Sequence, residues 1–298
     1  MGDPVFDPRG VAPDREGETV ADDGTRLPFQ SFGEGSAIVF ANGIGVRWPG
    51  LALQIAALRD RFRVVCWDYR GMGPSVLGRP DADVSMGRQA EDLLGLLDHL
   101  GIERAVLAGW SMGVQVSLEA IRRRPDRVSG FAAVLGAHGR PFRGALPRPA
   151  ARAVEAAFGF ALRHPWLAQG PLDLAVALPG VAHAVLSTVG FVGRDVDRRV
   201  FDGNVRWVAE TERRTYLRTM LALAEHDGAD VLARVSCPAL IVCGERDGLT
   251  PPRVGREMAA AIPEAEYREL RGATHFGLIE QAERLNGWLR AFAERVYG

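Results

Sequence analysis

The sequence predicts an α/β fold, in which a mostly parallel sheet carries helices on both faces and a helical segment is inserted between two strands. Three observations lead to this prediction. Over residues 17–140, short continuous apolar runs alternate with segments of helical periodicity, the pattern of parallel strands joined by helices. Over 141–230 only helical periodicity continues. From 231 to 298 the alternation resumes, so we expect one interrupted sheet rather than two tandem domains.

The elements of the first half follow in order along the chain. Segments with apolar residues at every third or fourth position separate the apolar runs and predict helices. Ser85 is placed to cap a helix that ends before Gly101, and a further helix begins near Met112. The predicted strands of this half are 37–41, 63–67, 105–109 and 131–135.

The second half begins with the insertion and then returns to strands. The insertion opens with a Pro- and Arg-rich stretch and continues as Ala-, Leu- and Arg-rich helical pattern. The elements predicted after it are a strand over 239–243, a helix over 252–262, a strand over 265–270 and a last helix over 278–296. The chain therefore divides into an N-terminal tail (1–16), an α/β core (17–140 and 231–298) and a helical cap (141–230).

Composition excludes several classes of protein. The 36 basic residues balance 37 acidic ones, which gives no electrostatic footprint for nucleic acid or an anionic membrane surface. All the basic residues are arginines, so a Walker lysine and a pyridoxal Schiff base are excluded. Three cysteines without CxxC spacing and histidines without an HExxH pair predict no disulfide and no metal site. We expect a soluble, cytoplasmic protein with no cofactor, no metal, and no nucleic-acid or membrane partner.

A candidate nucleophile lies directly after the predicted strand 105–109. Residues 109–113 read GWSMG and fit the pattern G-x-S-x-G, with an apolar strand before and a helix after. Such a turn holds the middle residue in a strained conformation, and glycines two positions on either side leave room for it. Ser111 is thereby presented at the carboxyl edge of the sheet, above a helix N-terminus whose dipole favours a developing oxyanion.

A serine nucleophile needs a base and an acid that orients the base. Past residue 226 the chain has a single histidine, His275, in a loop before the last helix. The acid is expected at the end of the preceding strand, where Asp247 and Glu245 are both available. Asp247 is favoured, because it lies three residues after the strand-ending Gly244, and Glu245 remains the alternative.

The chain resembles the α/β-hydrolase superfamily, in particular its capped serine esterases and lipases, over residues 17–298. Residues 42–45 read NGIG where the family usually has His-Gly-x-Gly, and 68–75 match its D-x-R-G-x-G-x-S loop. The stretch 272–286 is similar to its terminal histidine loop and helix. The NGIG stretch is also similar to intracellular medium-chain polyhydroxyalkanoate depolymerases.

The resemblance implies an eight-stranded, mostly parallel sheet with the cap inserted after strand 6. It implies Ser111 as nucleophile, His275 as base and then acid, and Asp247 as the residue that orients the imidazole. The backbone N–H groups of Ile44 and Met112 would form the oxyanion hole. Since residue 111 is serine rather than aspartate, the dehalogenase and epoxide-hydrolase branches of the family are not indicated.

Other residues have two interpretations each. Trp110 and His138, near the carboxyl edge of the sheet, are candidate substrate contacts, although a large aromatic there also serves packing. Arg70 is expected to be a structural ion-pair partner. The cap aromatics are either walls of an acyl pocket or ordinary core; these are Phe158, Phe160, Trp166 and Trp207.

The predicted activity is hydrolysis of carboxylic esters of small or medium acyl chains through an acyl-enzyme, on a small-molecule substrate. The same three residues also serve a lactonase, a thioesterase, a polyhydroxyalkanoate-type depolymerase, a cofactor-free perhydrolase or a carbon–carbon hydrolase. A third class is a hydrolase-fold receptor that binds its ligand without turnover. The sequence sets neither the substrate nor the oligomeric state.

Overall fold

The computed structural model describes residues 10–164, 166–194 and 196–298. Residues 1–9 of the predicted tail lie outside the described residues, and the first strand begins at Arg15, inside that predicted tail. The strands are β1 (Arg15–Val20), β2 (Arg26–Phe32), β3 (Ala37–Ala41), β4 (Arg63–Trp67), β5 (Ala105–Trp110), β6 (Val128–Val134), β7 (Ala239–Gly244) and β8 (Glu266–Leu270). The helices are α1 (Ala52–Leu58), α2 (Met86–His99), α3 (Met112–Arg123), α4 (Pro141–Ala145), α5 (Arg148–Arg163), α6 (Trp166–Ala177), α7 (Pro179–Thr188), α8 (Arg198–Glu210), α9 (Arg213–Glu225), α10 (Ala229–Leu232), α11 (Pro252–Ala261), α12 (Gly277–Glu280) and α13 (Ala282–Tyr297).

The eight strands form one sheet in the order β1-β2-β4-β3-β5-β6-β7-β8. β2 pairs antiparallel with both of its neighbours, and every other pair is parallel. The predicted fold class is thus confirmed. Because parallel strands all end at the same edge, the loops that follow β3, β5, β6, β7 and β8 gather at the carboxyl edge of the sheet.

The core lies in two layers, one on each face of the sheet. Side chains alternate along a strand, so Val39 of β3 packs with α2 and α3, while Ile38 and Phe40 pack on the opposite face with α1 and α13. The leucines of α2 recur at helical spacing on its buried face, and Ser85 caps the helix by accepting a hydrogen bond from the Arg88 N–H. Both faces of the central strands are therefore dry.

Seven helices, α4 to α10, lie between β6 and β7, and we call them the inserted helices. They pack chiefly on one another, with α5 against α9 and α6 against α8, and they follow β6 at the carboxyl edge of the sheet. Within the part of the chain that the structure describes, no helix has both the length and the apolar character needed to cross a membrane.

A buried ion-pair network fixes the loop after β4. The Arg70 guanidinium is fully buried and donates two hydrogen bonds to Asp92, at 2.6 and 2.7 Å, and one to Asp23, at 2.8 Å. Arg70 is thus the structural ion-pair partner that was predicted. Removing one partner of such a buried pair costs about 3–5 kcal/mol, because a charge is left uncompensated. The network holds the neighbouring Tyr69, which reaches the candidate site.

Candidate active site

Ser111 occupies a strained turn between β5 and α3. Its backbone has φ of 55° and ψ of −117°, a conformation that a non-glycine residue adopts only when its surroundings impose it. A Cβ on Gly113 would lie 1.8 Å from the Ala41 carbonyl oxygen, and one on Gly109 would lie 2.5 Å from the Gly113 carbonyl oxygen. Only glycine fits at these two positions, which explains the spacing of the motif.

The structure brings the three predicted residues together. His275 Nε2 lies 2.9 Å from Ser111 Oγ, and His275 Nδ1 lies 2.9 Å from Asp247 Oδ2. Both His275 and Asp247 are almost fully buried, with exposed fractions of 2% and 3%. With Nδ1 donating to the carboxylate, Nε2 is left as the acceptor for the proton of the serine hydroxyl.

Asp247 rather than Glu245 contacts the imidazole. The Leu249 and Thr250 N–H groups both donate to Asp247 Oδ1 at 2.8 Å, and the Thr250 hydroxyl donates to Oδ2 at 2.7 Å. Glu245 is exposed, and its Oε2 accepts the Gly272 N–H at 2.7 Å. Glu245, the alternative acid, thus links the loop that carries Asp247 to the loop that carries His275.

Ile44 and Met112, the predicted oxyanion-hole residues, line the same cavity as Ser111. Met112 is the first residue of α3, where backbone N–H groups lack partners within the helix. Asn42 stabilises the turn that carries Ile44, because its Nδ2 donates to the Val46 carbonyl at 3.2 Å. The Tyr69 hydroxyl donates to the Asn42 carbonyl at 2.9 Å. This support from Tyr69 is not visible in the sequence, although the residue lies within the 68–75 motif.

Asp68, the residue before Tyr69, is a buried carboxyl behind this turn. Burial raises its pKa to about 7, and Arg47, whose Nε lies 3.9 Å from Asp68 Oδ1, opposes that rise only weakly. Asp68 is not among the described residues that line the cavity.

The cavity above Ser111 has a volume of about 370 Å³, and its walls come from both the sheet edge and the inserted helices. Most of the lining is aliphatic or aromatic, which is typical of a site for an apolar ligand. The lining residues contributed by the inserted helices and their connections include Ala175, Ala182, Leu186, Phe191, Phe201, Val205, Val208, Met220 and Leu223.

The loop between α7 and α8 contacts the histidine and the acid loop directly. The Phe191 ring stacks on His275 with centroids 5.5 Å apart and 27° between the planes. The Gly190 carbonyl accepts from the Gly248 N–H at 3.2 Å and from the His275 N–H at 3.4 Å. The contact of Phe191 with His275 is not predicted by the sequence, because nothing in the local pattern of Phe191 indicates a contact with a residue so far along the chain.

The two candidate substrate contacts have different outcomes. Trp110 lines the cavity with 4% of its surface exposed, and its Nε1 donates to the His275 carbonyl at 3.4 Å, so it both faces the site and supports it. His138 is not among the described lining residues. Its Nδ1 lies 3.9 Å from Asp227 Oδ1, and burial lowers its pKa. The geometry thus gives no support to a substrate contact from His138, which stays a prediction from the sequence.

His138 belongs to the segment that joins β6 to α4. The backbone turns at Leu135, with φ of 48°, and Gly139 then bridges to Asp227 at the end of the insertion. His138 thus lies near Asp227 at the end of the insertion, while its neighbour Ala137 lines the cavity.

Of the two interpretations of the cap aromatics, packing rather than a pocket wall describes Phe158. Phe158 packs on Phe142 with centroids 5.5 Å apart, and Phe160 is exposed. Neither they nor Trp207 are among the described lining residues, and the Trp166 side chain lies outside the described part of the chain.

A strained serine between a strand and a helix, with a histidine beside it at the carboxyl edge of a mostly parallel sheet, is characteristic of serine hydrolases. Residues 37–282 match the family model described as the alpha/beta hydrolase fold, and the chain belongs to that family.

Known proteins of this family are similar over nearly the whole chain. The 3-oxoadipate enol-lactonase 2 of Acinetobacter baylyi is 26% identical over 283 residues, which are 93% of this chain and 97% of the relative. The structure of an enol-lactonase from Burkholderia xenovorans LB400 superposes with a TM-score of 0.76 and 26% identity, covering 93% of this chain and 100% of the other.

A thermophilic esterase from Thermogutta terrifontis shares the fold, with a TM-score of 0.77 and 24% identity over 95% of this chain and 100% of the other. The chain is accordingly a member of the alpha/beta hydrolase family that is similar in sequence to enol-lactonases, while its likeness to the esterase shows the fold alone.

Proposed function

We propose that the protein hydrolyses uncharged carboxylic esters of small or medium acyl chains through an acyl-enzyme on Ser111. The observation that carries the proposal is the pair of 2.9 Å contacts that join Ser111 Oγ, His275 and Asp247 at the floor of an apolar cavity.

The reaction proceeds in two steps. Ser111 Oγ attacks the ester carbonyl carbon, its proton passes to His275 Nε2, and the Ile44 and Met112 N–H groups stabilise the tetrahedral oxyanion. The carbon–oxygen bond to the alcohol then breaks, and His275 returns the proton to the leaving oxygen. In the second step His275 takes a proton from water, the hydroxide attacks the acyl carbon, and the carboxylic acid leaves as Ser111 regains its proton.

The charge of the lining supports a neutral substrate. No Arg, Asp or Glu is found among the described residues that line the cavity. A carboxylate on the acyl chain would be buried there without a counter-ion, which is unfavourable. Acyl groups that carry a free acid are therefore expected to be poor substrates.

A lactone is the second candidate substrate. Two enol-lactonases, each 26% identical, match this chain over nearly their full length, the inserted region included. A lactone is an internal ester, so the same attack by Ser111 opens the ring and leaves the alcohol attached to the acyl group.

A substrate panel tests the proposal. We expect 4-nitrophenyl esters from acetate to octanoate to give the highest kcat/KM, with a steep fall by palmitate, since the cavity lies toward the lower end of the roughly 300–1,000 Å³ of ligand pockets. The 4-nitrophenyl monoester of succinate should be a poorer substrate than the butanoate. Lactones assayed alongside test the second candidate, and opening of lactones with no release of nitrophenol from the esters would replace the ester proposal. Release of one equivalent of nitrophenol without further turnover would favour a receptor.

The inserted helices are proposed to set the acyl-chain limit. Ala182 of α7 lines the cavity, whereas Ala184 of the same helix is exposed. Ala182→Phe is expected to lower kcat/KM for octanoate at least about tenfold more than for acetate, because overfilling a packed space is strongly unfavourable. Ala184→Phe is the matched control and should leave the chain-length profile unchanged. If kcat/KM of Ala182→Phe depended on acyl-chain length as in the wild type, the inserted helices would not be the element that sets the chain-length limit.

A further inference from the structure

Gln115 is a buried amide in the cavity that has no role in the mechanism above. It lies on α3 four residues after Ser111, its exposed fraction is 1%, and it lines the cavity. Its Oε1 is buried without a hydrogen-bond partner, and the structure gives its terminal amide no hydrogen bond to any described residue. Every other α3 residue from Met112 to Ile121 is also buried, so Gln115 lies in a helix enclosed on all sides.

The buried amide of Gln115 lowers the stability of the fold unless a ligand satisfies it. A buried polar group without a partner is unfavourable, and an apolar residue of similar shape would fill this position at lower free energy. A site built around a polar group instead gains discrimination, since a substrate that satisfies the group is bound better than an analogue that does not.

The position on the helix directs the amide toward the reacting serine. Residues four apart lie on the same face of a helix, and helical side chains lean toward the N-terminus, which here is the Ser111 end. Gln115 and Ser111 also line one cavity, where an acyl chain attached to Ser111 would lie. That part of the substrate stays in the cavity through both steps, whereas the alcohol leaves after the first.

We propose that Gln115 is a specificity-determining residue that hydrogen-bonds an uncharged oxygen, a hydroxyl or an ether, close to the scissile carbonyl in the acyl chain of the substrate. The inference rests on the proposed function and narrows its substrate class to oxygen-bearing acyl esters. A hydroxyl and an ether oxygen can each accept a hydrogen bond from the amide nitrogen.

Matched ester pairs with one leaving group test this inference. The first pair is 4-nitrophenyl 3-hydroxybutanoate and 3-methylbutanoate, and the second is 4-nitrophenyl methoxyacetate and butanoate. The members of each pair have nearly the same shape and differ by one oxygen. Because the oxygen also changes the intrinsic reactivity of the ester, the measured quantity is the ratio of kcat/KM within a pair, compared between wild type and variant.

Gln115→Met is expected to lower the oxygen-to-hydrocarbon ratio by about tenfold in at least one pair, as loss of one substrate hydrogen bond predicts. Gln89→Met is the matched control: Gln89 of α2 is also fully buried with an unpartnered amide, but it does not line the cavity. Its ratios should equal those of the wild type. Gln115→Leu is a second variant with the same expectation.

The outcomes separate the two proposals. Ratios that stay at the wild-type value in Gln115→Met and Gln115→Leu would overturn the inference and leave the esterase proposal standing; a bound water that satisfies the amide would produce this result. A wild-type enzyme that cleaves none of the four esters would overturn the proposed function and, with it, this inference.

Discussion

Ser111→Ala is expected to remove hydrolysis almost completely, with kcat lower on the order of a millionfold, the loss found when the nucleophile of a Ser–His–Asp enzyme is deleted. Ser111 lines the cavity, and its hydroxyl oxygen lies 2.9 Å from His275 Nε2. The hydroxyl of Thr250, which also lines the cavity, already donates to Asp247. Without Ser111 Oγ, the described cavity lining offers no hydroxyl hydrogen-bonded to His275 Nε2 that could form the acyl-enzyme.

The measurement is the turnover of 4-nitrophenyl butanoate, together with the labelling of the protein by an organophosphate. Ser117→Ala is the control: Ser117 lies on the same helix, and its hydroxyl donates to the Gly113 carbonyl at 2.8 Å rather than to a substrate. It should retain activity within about tenfold of the wild type, since such an intrahelical bond stabilises little. A folded Ser111→Ala protein that keeps a tenth of wild-type turnover would contradict the assignment of the nucleophile.

The sequence was sufficient for the parts of the site that depend on local backbone geometry. The GWSMG pentapeptide after an apolar strand specified the turn at Ser111. A side chain on Gly109 would collide with the backbone of Gly113, and one on Gly113 would collide with the backbone of Ala41 in β3. The order of strands and loops after the insertion then indicated His275 as the base and favoured Asp247 over Glu245 as the acid. These parts follow from chain order and from the rule that parallel strands end at one edge.

Features that depend on contacts between distant segments were not predicted. Phe191 belongs to a loop whose position is decided by how Gly190 and Gly248 meet, and no periodicity encodes that contact. His138 lies 3.9 Å from Asp227 near the end of the insertion, a contact between distant segments that no local pattern indicates. Strand β1 is mostly exposed at the sheet edge, so it lacks the apolar run by which the central strands were recognised.

Asp247→Asn is expected to lower kcat by roughly ten-thousandfold without unfolding the protein, the loss that the wrong histidine tautomer causes in Ser–His–Asp proteases. The hydrogen bonds of Asp247 decide how the new amide is oriented. Two N–H groups, those of Leu249 and Thr250, donate to Oδ1, so that position must remain an oxygen. The amide NH2 is therefore placed at the Oδ2 position, facing His275 Nδ1.

An NH2 group at that position cannot accept a hydrogen bond from Nδ1–H, so the imidazole adopts the tautomer with its hydrogen on Nε2 and can no longer take the proton of Ser111. The measurement is kcat for 4-nitrophenyl butanoate in Asp247→Asn beside Glu245→Gln. Glu245 is exposed and accepts a hydrogen bond from the Gly272 N–H, which a glutamine oxygen can also accept. Since surface changes of this kind have small effects, kcat of Glu245→Gln should stay within about tenfold of the wild type. If Glu245→Gln lost activity and Asp247→Asn kept it, the acid that orients His275 would be Glu245, and the loop geometry that favours Asp247 would not be the one used in catalysis.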